Sequence, residues 1–465
     1  MPPVNVFRHY ISGQLVVLLA SDLLLLMAAL NGGRLLGLLG LPPVWMGDPP
    51  ILPKAMIFIS LGILTFHIAG LYEYSPRVCR KELAIRGLAA GASWWILIAA
   101  LAFLFPNVRL GRLASSFGVG FGTLGVIAAR LIYSSRPAVV RFRERLLFLG
   151  ATPLAERLIS ELEIDNPGYE ILGYVDDRPP QQIVLTNGYR VLGTSRELQD
   201  VVTKSHAGTI VVALAERRGA FPMQAVMDCK LRGVRIEDWP SFYEKLTGKI
   251  VVQNLRPSWL IFSDGFMRTR LTRLVKRGLD VVLSSIFLLL GMPTFLLVAL
   301  AIKLESHGPV FFRQERVGER GRTFTLLKFR TMMENAEAHT GPVWAMEADP
   351  RITRFGRWLR KIRLDEFPQI INVLKGEMSF IGPRPERPCF VANLQEKIPY
   401  YSQRHTVKPG ITGWAQVRYP YGATVQDAEE KLQYDLYYIK NMSLFLDMLI
   451  LLSSIQVVLF GKGAR

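Results

Sequence analysis

The sequence predicts a membrane protein in three parts: an α-helical module of four membrane spans, a parallel α/β middle domain, and a C-terminal α/β domain that carries a re-entrant membrane helix hairpin. Three observations lead to this fold class. Long apolar segments fill the first third of the chain, alternating strand-like and helix-like segments follow, and a later apolar run contains a proline between two basic flanks. We predict domain boundaries at 1–140, 141–265 and 266–465.

The composition supports a membrane location. Among 465 residues, 56 Lys and Arg face 38 acidic residues, which gives a net charge of +18, and half of the chain is hydrophobic. This apolar content excludes disordered and collagen-like classes, and three distant cysteines give no disulfide framework. A basic, apolar chain favours an anionic membrane face or an anionic substrate. The basic residues cluster beside apolar segments, so we expect no nucleic-acid partner.

Four apolar segments approach the ~20 residues that cross a bilayer, and we expect spans there. They are 11–30, 56–72, 87–105 and 113–133. Nine basic residues flank them on one side (Arg8, Arg77, Arg80, Lys81, Arg86, Arg136, Arg141, Arg143 and Arg145), and four on the other (Arg34, Lys54, Arg109 and Arg112). The positive-inside rule therefore predicts that both ends of this module are cytoplasmic. Asp22, inside the first span, is interpreted as a polar contact between helices.

The middle segment predicts a Rossmann-like α/β domain. Strand-like segments at 145–149, 171–175, 191–193 and 209–214 alternate with helical ones such as 153–162, a pattern typical of a parallel sheet. Gly150 and its neighbours give only a fragment of a dinucleotide fingerprint. Two interpretations stay open: a regulatory or assembly domain, which we favour, and a nucleotide-binding domain.

The third region starts with an apolar run at 281–301 that Pro293 interrupts. Both flanks are basic, so a full span would place one of them on the outer side, against the positive-inside rule. We therefore predict a re-entrant hairpin over 280–303 with its hinge at Pro293, and a full span is the alternative. The basic and apolar repeat at 351–363 predicts a helix in the lipid interface or against the protein core. The apolar segment 444–460 predicts a helix at the interface, partly inserted or spanning.

Two adjacent carboxylates mark the candidate chemistry. Asp365 and Glu366 precede a predicted helix over 367–375 that Gly376 ends. A structural role for Asp365 as helix N-cap is weakened, because Pro368 has no N–H to donate. A helix N-terminus and nearby cations both favour anions, and arginines should keep Asp365 ionised. An ionised carboxylate can bind Mg²⁺ or attack phosphorus.

Arg384 lies between Pro383 and Pro385, whose fixed φ angles stiffen its backbone. A guanidinium held in this way can be aimed at phosphate, which arginine binds with two parallel hydrogen bonds. Lys328 adds a cation near the end of a predicted strand. The alternative for each is a solvated surface cation.

From Lys276 to the C-terminus the chain carries a set of short motifs. They are Lys276-Arg-Gly-Leu-Asp280, Gly308-Pro-Val-Phe-Phe312, Arg316-Val-Gly318, Lys328-Phe-Arg-Thr-Met332, Asp349-Pro-Arg-Ile-Thr353, Leu364-Asp-Glu-Phe-Pro-Gln369, Gly382-Pro-Arg-Pro385, Lys408-Pro-Gly-Ile-Thr-Gly-Trp-Ala-Gln416 and Tyr434-Asp-Leu-Tyr-Tyr438. With this set of motifs the segment resembles the bacterial sugar transferase family, polyprenyl-phosphate phosphoglycosyl transferases with a re-entrant membrane helix. The preceding parts resemble long members, and segment 257–265 is similar to the exosortase-associated exopolysaccharide subgroup. Met292 before the hinge proline departs from the family pattern.

The resemblance implies an enzyme, an undecaprenyl-phosphate hexose-1-phosphate transferase that starts exopolysaccharide synthesis. It would move a sugar 1-phosphate from a UDP-sugar to undecaprenyl phosphate through a covalent aspartyl-phosphosugar. Asp365 would be the nucleophile, and Glu366 would assist the metal or activate the acceptor. We expect Mg²⁺ at Asp365 and Glu366. The expected contacts to phosphate or nucleotide sugar are Lys328, Arg330, Arg363 and Arg384.

The resemblance also implies a location, the bacterial inner (cytoplasmic) membrane, with the C-terminal catalytic domain on the cytoplasmic face of a multi-pass protein. A homodimer is expected from similar long members. Two other functional classes are alternatives to this prediction. A membrane nucleotide-sugar dehydratase needs a full glycine fingerprint and a Tyr-x-x-x-Lys pair in the middle domain, and the sequence has neither there. A non-catalytic scaffold for polysaccharide assembly would tolerate loss of Asp365. The sequence does not name the sugar, and glucose, galactose and N-acetylated sugars stay open.

Overall fold

A computed structural model gives the fold. It describes residues 4–6, 9–11, 13–38, 51–72, 80–108, 112–135, 143–165, 168–179, 188–214, 221–253, 263, 265–266, 269–333, 351–420, 422 and 424–460. The chain divides into an N-terminal unit, Met1–Val6 with Tyr10–Thr247, and a C-terminal unit, Phe7–His9 with Gly248–Arg465. The three predicted domain boundaries stay a prediction. The flanking residues Arg8, Arg77, Arg109, Arg136 and Arg141 and the motif segments 257–262 and 349–350 lie outside the described residues.

Apolar helices occupy the first third of the chain, as predicted. They are α1 Gly13–Leu38, α2 Ile51–Ile68, α3 Arg80–Leu104 and α4 Arg112–Ser135, after the short strands β1 Val4–Val6 and β2 His9–Ile11. Among the described residues, α3 and residues 115–132 of α4 are long and apolar enough to cross a membrane. Within α1 and α2 the apolar stretches whose side chains are described are shorter, Leu15–Leu30 and Leu52–Ile68.

A tryptophan lies at the centre of this helical module. Trp94 on α3 is fully buried, its Nε1 donates a 3.0 Å hydrogen bond to the Phe58 carbonyl on α2, and the two rings lie 4.5 Å apart. A Cβ at Gly62 of α2 would lie only 2.9 Å from the Trp94 ring, so glycine permits this close approach. Aromatic packing of this kind adds to the apolar burial that joins the helices.

Polar groups also join the helices. Arg130 on α4 donates a 2.5 Å hydrogen bond from Nη2 to Oδ2 of Asp22 on α1, and Tyr72 donates one of 2.7 Å to the same oxygen. Asp22 is fully buried and Arg130 is nearly so. Buried charges persist where they pair with one another. The interpretation of Asp22 as a polar contact between helices is confirmed.

A parallel sheet follows the helical module. Its elements are β3 Glu144–Leu149, α5 Pro153–Asp165, β4 Tyr169–Val175, β5 Val191–Gly193, α6 Leu198–Ser205, β6 Thr209–Val212, α7 Met223–Leu231, β7 Arg235–Asp238 and α8 Trp239–Thr247. In the described part of the sheet the strand order is β5-β4-β3-β6-β7, with every neighbouring pair parallel. The predicted parallel sheet is confirmed. The strand β7 was missed, because this edge strand is only half-buried and its sequence, Arg-Ile-Glu-Asp, has no apolar run.

The C-terminal unit mixes helices with short strand pairs. Its elements are α9 Arg270–Glu305, β8 Phe311–Val317, β9 Thr323–Phe329, α10 Arg354–Lys361, α11 Gln369–Lys375, β10 Ser379–Ile381, α12 Pro388–Lys397, β11 Gly410–Thr412, α13 Trp414–Arg418, α14 Val425–Lys440 and α15 Leu444–Phe460. The strands β8 and β9 pair antiparallel, and β10 and β11 pair parallel. Tyr401, Trp414 and Tyr437 are buried in the main core of this unit together with Ile250 and Val252.

The helix α9 is long and largely exposed. It continues through Pro293, and its exposed side chains include Leu289, Leu290 and Leu297, each with about 70% of its surface accessible (71%, 74% and 67%). By length and composition it could cross a membrane. The predicted hairpin over 280–303 lies within this helix, and the re-entrant course with its hinge at Pro293 stays a prediction.

Both halves of α9 pack on the rest of the C-terminal unit. In the first half, Asp280 accepts a 3.0 Å hydrogen bond from the Phe380 N–H of β10. In the second half, the Phe295 ring lies 4.9 Å from Phe329 of β9, and Ile302 is buried. The helix is therefore attached to one protein body before and after Pro293.

Candidate active site

The acidic pair lies in a tight 3₁₀ turn just before an α-helix. Asp365 and Glu366 belong to a short 3₁₀ helix, Leu364–Glu366, that precedes α11. Arg363 before it adopts a left-handed conformation with φ of 58°, which turns the chain away from α10. The predicted helical stop is confirmed, because Gly376 ends α11 with φ of 85°.

Phe367 attaches this turn to the middle of α9. A Cβ at Gly291 would lie 2.2 Å from Cζ of Phe367, so only glycine leaves room for the ring. The Phe367 ring also lies 6.1 Å from Phe295, two residues beyond Pro293. The acidic pair is therefore held next to the middle of the apolar helix α9.

Glu366 binds two cations through one oxygen. Its Oε1 accepts 2.9 Å and 2.7 Å hydrogen bonds, from Lys328 Nζ and from Arg384 Nη2. Burial alone would raise the pKa of Glu366, but Arg384 and Lys328 outweigh it and hold that pKa far below its usual range. Glu366 is therefore an anion at neutral pH. Burial lowers the pKa of Lys328, although the charge of Glu366 opposes this shift.

Asp365 differs from its neighbour. Its side chain is nine-tenths buried, and its carboxylate accepts no hydrogen bond from any residue that the structure describes. Burial raises its pKa above the ordinary value, and the charge of Glu366 adds to the rise, while Lys328 opposes it. A carboxylate that protein donors do not occupy, with an increased proton affinity, is suited to attack an electrophile or to bind a metal.

Four of the predicted site residues come together: Asp365, Glu366, Lys328 and Arg384 interact directly or electrostatically. Arg330 is buried elsewhere, where Nη1 donates to the His307 carbonyl (2.7 Å) and Nη2 to the carbonyl and hydroxyl of Ser306 (both 2.8 Å). These contacts fix the chain just after α9. Phosphate binding by Arg330, and by the exposed Arg363, stays a prediction.

Sequence reasoning missed two arginines that support the site. Arg360 on α10 lowers the pKa of Asp365 by its charge, and its Nε donates a 2.9 Å hydrogen bond to Thr331 Oγ1. Arg404 donates a 3.0 Å hydrogen bond to the Arg384 carbonyl and forms a buried 2.9 Å ion pair with Asp435. The basic repeat at 351–363 contained Arg360, whereas nothing in the sequence near Arg404 pointed to it.

The buried ion pair fixes the backbone of Arg384. Tyr401 accepts a further 2.6 Å hydrogen bond from Nη1 of Arg404. Burial raises the pKa of Asp435 to about 6, while Arg404 acts in the opposite direction. Prolines on both sides and this carbonyl contact together restrict where the Arg384 guanidinium can point.

Asn372 fixes the strand that carries Lys328. This residue on α11 is fully buried, and its Oδ1 accepts a 3.1 Å hydrogen bond from the Leu327 N–H. Its Nδ2 donates 2.8 Å to the Thr325 carbonyl and 2.7 Å to Glu377. The helix after the acidic turn and the strand β9 are therefore joined at a fixed register.

The donor set for a metal is small. Among the described residues, no group of three or more His, Cys, Asp or Glu side chains could hold an ion. Mg²⁺ is commonly bound by one or two carboxylates together with substrate phosphates and water, so a larger cluster is not required. The Asp365 carboxylate, which accepts no hydrogen bond from the described residues, lies beside Glu366, and this pair fits a magnesium ion of that kind.

Comparison with known proteins identifies the family. The family model described as "Bacterial sugar transferase" matches residues 271–461. A UDP-glucose:undecaprenyl-phosphate glucose-1-phosphate transferase of Xanthomonas campestris pv. campestris is 30% identical over 440 residues, 89% of this chain and 88% of that protein. An undecaprenyl-phosphate glucose phosphotransferase of Komagataeibacter xylinus is 37% identical over 371 residues, 77% of this chain and 67% of that protein.

A third relative is more similar over a shorter stretch. A UDP-N-acetylgalactosamine-undecaprenyl-phosphate N-acetylgalactosaminephosphotransferase of Aeromonas hydrophila is 44% identical over 237 residues. The match spans 51% of this chain and 55% of that protein. Two of these similarities extend well beyond the C-terminal unit, and the family model matches nearly all of that unit. The chain belongs to the bacterial sugar transferase family.

Proposed function

We propose that this protein transfers a sugar 1-phosphate from a UDP-sugar to undecaprenyl phosphate, the first step of exopolysaccharide synthesis. The observation that carries the proposal is the buried Asp365 carboxylate, free of hydrogen bonds from the described residues, beside a Glu366 that binds Lys328 and Arg384. The names of the three relatives describe the same class of undecaprenyl-phosphate sugar phosphotransferase. The enzyme is accordingly an undecaprenyl-phosphate hexose-1-phosphate transferase.

The reaction runs in two displacements at phosphorus. An Asp365 oxygen attacks the phosphorus next to the sugar, the bond from that phosphorus to the bridging oxygen breaks, and UMP leaves with the electron pair. A covalent aspartyl-phosphosugar stays on the enzyme. A phosphate oxygen of undecaprenyl phosphate then attacks the same phosphorus, the Asp365 carboxylate is released, and undecaprenyl-diphospho-sugar forms.

The other residues of the site balance charge. An anionic nucleophile must approach an anionic diphosphate, and Lys328 and Arg384 reduce that repulsion. Glu366 holds these two cations beside Asp365, and its negative charge offsets part of their positive charge until phosphate binds. Mg²⁺ held by Asp365 and Glu366 with the diphosphate would neutralise further charge. Arg330 and Arg363 are proposed as additional phosphate contacts.

The membrane placement brings the site to a lipid acceptor. We propose that α9 is re-entrant with its hinge at Pro293, since Asp280 and Phe295, on either side of the hinge, pack on the same body. The acidic turn, held to α9 by Phe367, would then lie at the cytoplasmic face of the bacterial inner membrane. A soluble donor and a lipid acceptor can meet there. We also propose a homodimer, which the resemblance to long members of the family implies.

The middle domain is proposed as Rossmann-like, which its strand order supports. The turn after β3, where such folds bind phosphates, is filled from within the chain. Ala151 donates its N–H to Asp176 (2.7 Å), and Arg178 donates to the Ala151 carbonyl (2.6 Å). This internal pairing favours a regulatory or assembly role over nucleotide binding.

The test is UMP release by the purified full chain in nanodiscs with Mg²⁺, undecaprenyl phosphate and one UDP-sugar at a time. The wild type should release UMP with at least one sugar. Asp365→Asn should reduce the rate by about three orders of magnitude or more. Asp200→Asn, an exposed aspartate on α6, is the matched control and should retain the full rate. Equal rates for wild type and Asp365→Asn would reject Asp365 as the nucleophile.

A further inference from the structure

A second basic site lies in the C-terminal unit. A cavity of about 870 Å³ opens at the start of α9, and its described lining includes none of Asp365, Glu366, Lys328 and Arg384. Cationic side chains dominate that lining: Arg270, Arg273, Lys276, Arg277, Arg320, Arg322 and Lys408. The transfer reaction proposed above assigns no role to any of them.

The acidic groups in the cavity do not balance these cations. Asp280, Glu319 and Glu377 are the acids among the described lining residues. Asp280 already accepts hydrogen bonds from Ser379 Oγ and the Phe380 N–H, both 3.0 Å long, and Glu377 accepts one of 2.7 Å from Asn372. Lys276 is paired with Asp447 at 2.7 Å, but the six other cations of the lining still outnumber its three acids, so the cavity has an excess of positive charge that favours an anionic ligand.

Two cations converge on one point of its wall. A Cβ placed on Gly376 would lie 3.4 Å from Nη2 of Arg277 and 3.4 Å from Nζ of Lys408. Arg277 donates to the carbonyls of Val373 (2.6 Å) and Leu374 (2.7 Å), which orient the guanidinium without neutralising it. Like charges that converge in a partly enclosed space repel one another unless an anion lies between them. Phosphate oxygens suit an arginine and a lysine arranged in this way.

The cavity borders an apolar surface. Leu274 lines the cavity and is 69% exposed, and Leu271, one turn earlier on α9, is 70% exposed. Further along α9 the exposed apolar side chains continue through Val282 and Ile286. A ligand with an anionic head and apolar tails would match both surfaces. Basic pockets beside membrane-embedded helices are typical sites for phospholipid head groups.

We propose that this cavity binds the phosphate group of an anionic membrane lipid and so anchors the first turns of α9 at the membrane surface. The recognised chemistry is phosphate, which a phospholipid head group or a free phosphate can supply. The membrane position of α9 comes from the proposed function, but lipid binding is measured without donor or acceptor. If the transferase proposal fails, the lipid-binding measurement can therefore still support or reject this site.

The test counts bound lipids on the full chain by native mass spectrometry. The protein is released from nanodiscs of phosphatidylcholine with a minor fraction of phosphatidylglycerol. The cavity variant is the double substitution Arg273→Gln with Arg322→Gln, two exposed arginines without a side-chain partner among the described residues. The matched control removes two charges outside the cavity, Arg313→Gln with Lys397→Gln.

The wild type and the control should retain phosphatidylglycerol, and the cavity variant should bind it about 10- to 30-fold more weakly. The charge-conserving double substitution, Arg273→Lys with Arg322→Lys, should restore most of the binding. An unchanged thermal unfolding midpoint would exclude misfolding as the cause of the loss.

A second arm separates the two sources of phosphate. Inorganic phosphate is titrated against the same proteins in neutral nanodiscs, and its protection against thermal unfolding is measured. If this protection is lost in the cavity variant while phosphatidylglycerol binding is unchanged, the site binds phosphate, but from solution. If the cavity variant equals the control in both arms, the proposal is overturned.

Discussion

Arg384 and Lys328 share one oxygen of Glu366, with Arg384 Nη2 2.7 Å and Lys328 Nζ 2.9 Å from Oε1. The two cations come from different parts of the chain, a proline-flanked loop and strand β9. One carboxylate therefore holds both beside Asp365. In the proposed mechanism the two adjacent acids therefore have different roles: Glu366 organises positive charge, and Asp365 stays available for chemistry.

Replacing Arg384 by lysine tests the need for a guanidinium. Arg384→Lys keeps the charge but loses the planar fork that binds phosphate with two parallel hydrogen bonds. We expect kcat/KM for the UDP-sugar to fall about 10- to 100-fold. Arg313→Lys, at an exposed position on β8, is the control and should leave kcat/KM unchanged. An unaltered kcat/KM in Arg384→Lys would remove Arg384 from donor binding.

The pH profile of the reaction should report the charge next to Asp365. Burial raises the pKa of Asp365, and the positive charge of Lys328 opposes this rise. Lys328→Gln removes that positive charge, so Asp365 holds its proton to a higher pH. Because the proposed mechanism requires the ionised form of Asp365 for attack, the acidic limb of kcat/KM should shift to higher pH in Lys328→Gln. An acidic limb at the wild-type position would mean that another group controls it.

The sequence predicted the local part of this site and not its long-range part. The acids at 365 and 366, the helical stop at Gly376 and the strand under Lys328 follow from short patterns, and all three elements are present. Arg404 lies 20 residues after Arg384, beyond the range of helix or turn patterns, and their contact depends on the tertiary packing around Tyr401. Periodicity and capping rules describe neighbours in sequence, so they cannot predict such a pair.

The helix α10 is shorter than its sequence pattern predicted. The basic repeat predicted an amphipathic helix over 351–363, and the structure has Arg354–Lys361. The N-terminal end is set by Thr353, whose hydroxyl accepts a 3.0 Å hydrogen bond from the Gly356 N–H. Leu359 is buried against Val298 and Ile302, while Trp358 is half exposed, so one helix contacts the core and also presents an apolar residue outward.

The Arg404–Asp435 pair should be important for stability. Both side chains are almost fully buried, at 6% and 2% exposed, so removing the acid leaves an unpaired buried cation. We expect Asp435→Ala to lower the free energy of unfolding by about 3–5 kcal/mol. A thermal unfolding curve of the detergent-purified chain measures the loss, with Glu396→Ala on the exposed face of α12 as the control. Equal midpoints would show that the pair contributes little.

Cysteine labelling tests the course of α9. In a cysteine-free background, Arg270→Cys and His307→Cys place thiols at exposed positions at the start of the helix and just after its end. A re-entrant helix predicts that an impermeant maleimide labels neither in intact cells and both after permeabilisation. Asn107→Cys, between α3 and α4, should be labelled in intact cells and serves as the control. Labelling of one α9 flank in intact cells would establish a full span instead.

Detection of the covalent intermediate tests the proposed two-step mechanism most directly. The purified chain is incubated with Mg²⁺ and its UDP-sugar without undecaprenyl phosphate, and its intact mass and peptides are measured. We predict a mass increase equal to one phosphosugar, located on Asp365, absent from Asp365→Asn and lost when undecaprenyl phosphate is added. Transfer that proceeds at full rate with no adduct on Asp365 would contradict the two-step mechanism and the role of this carboxylate.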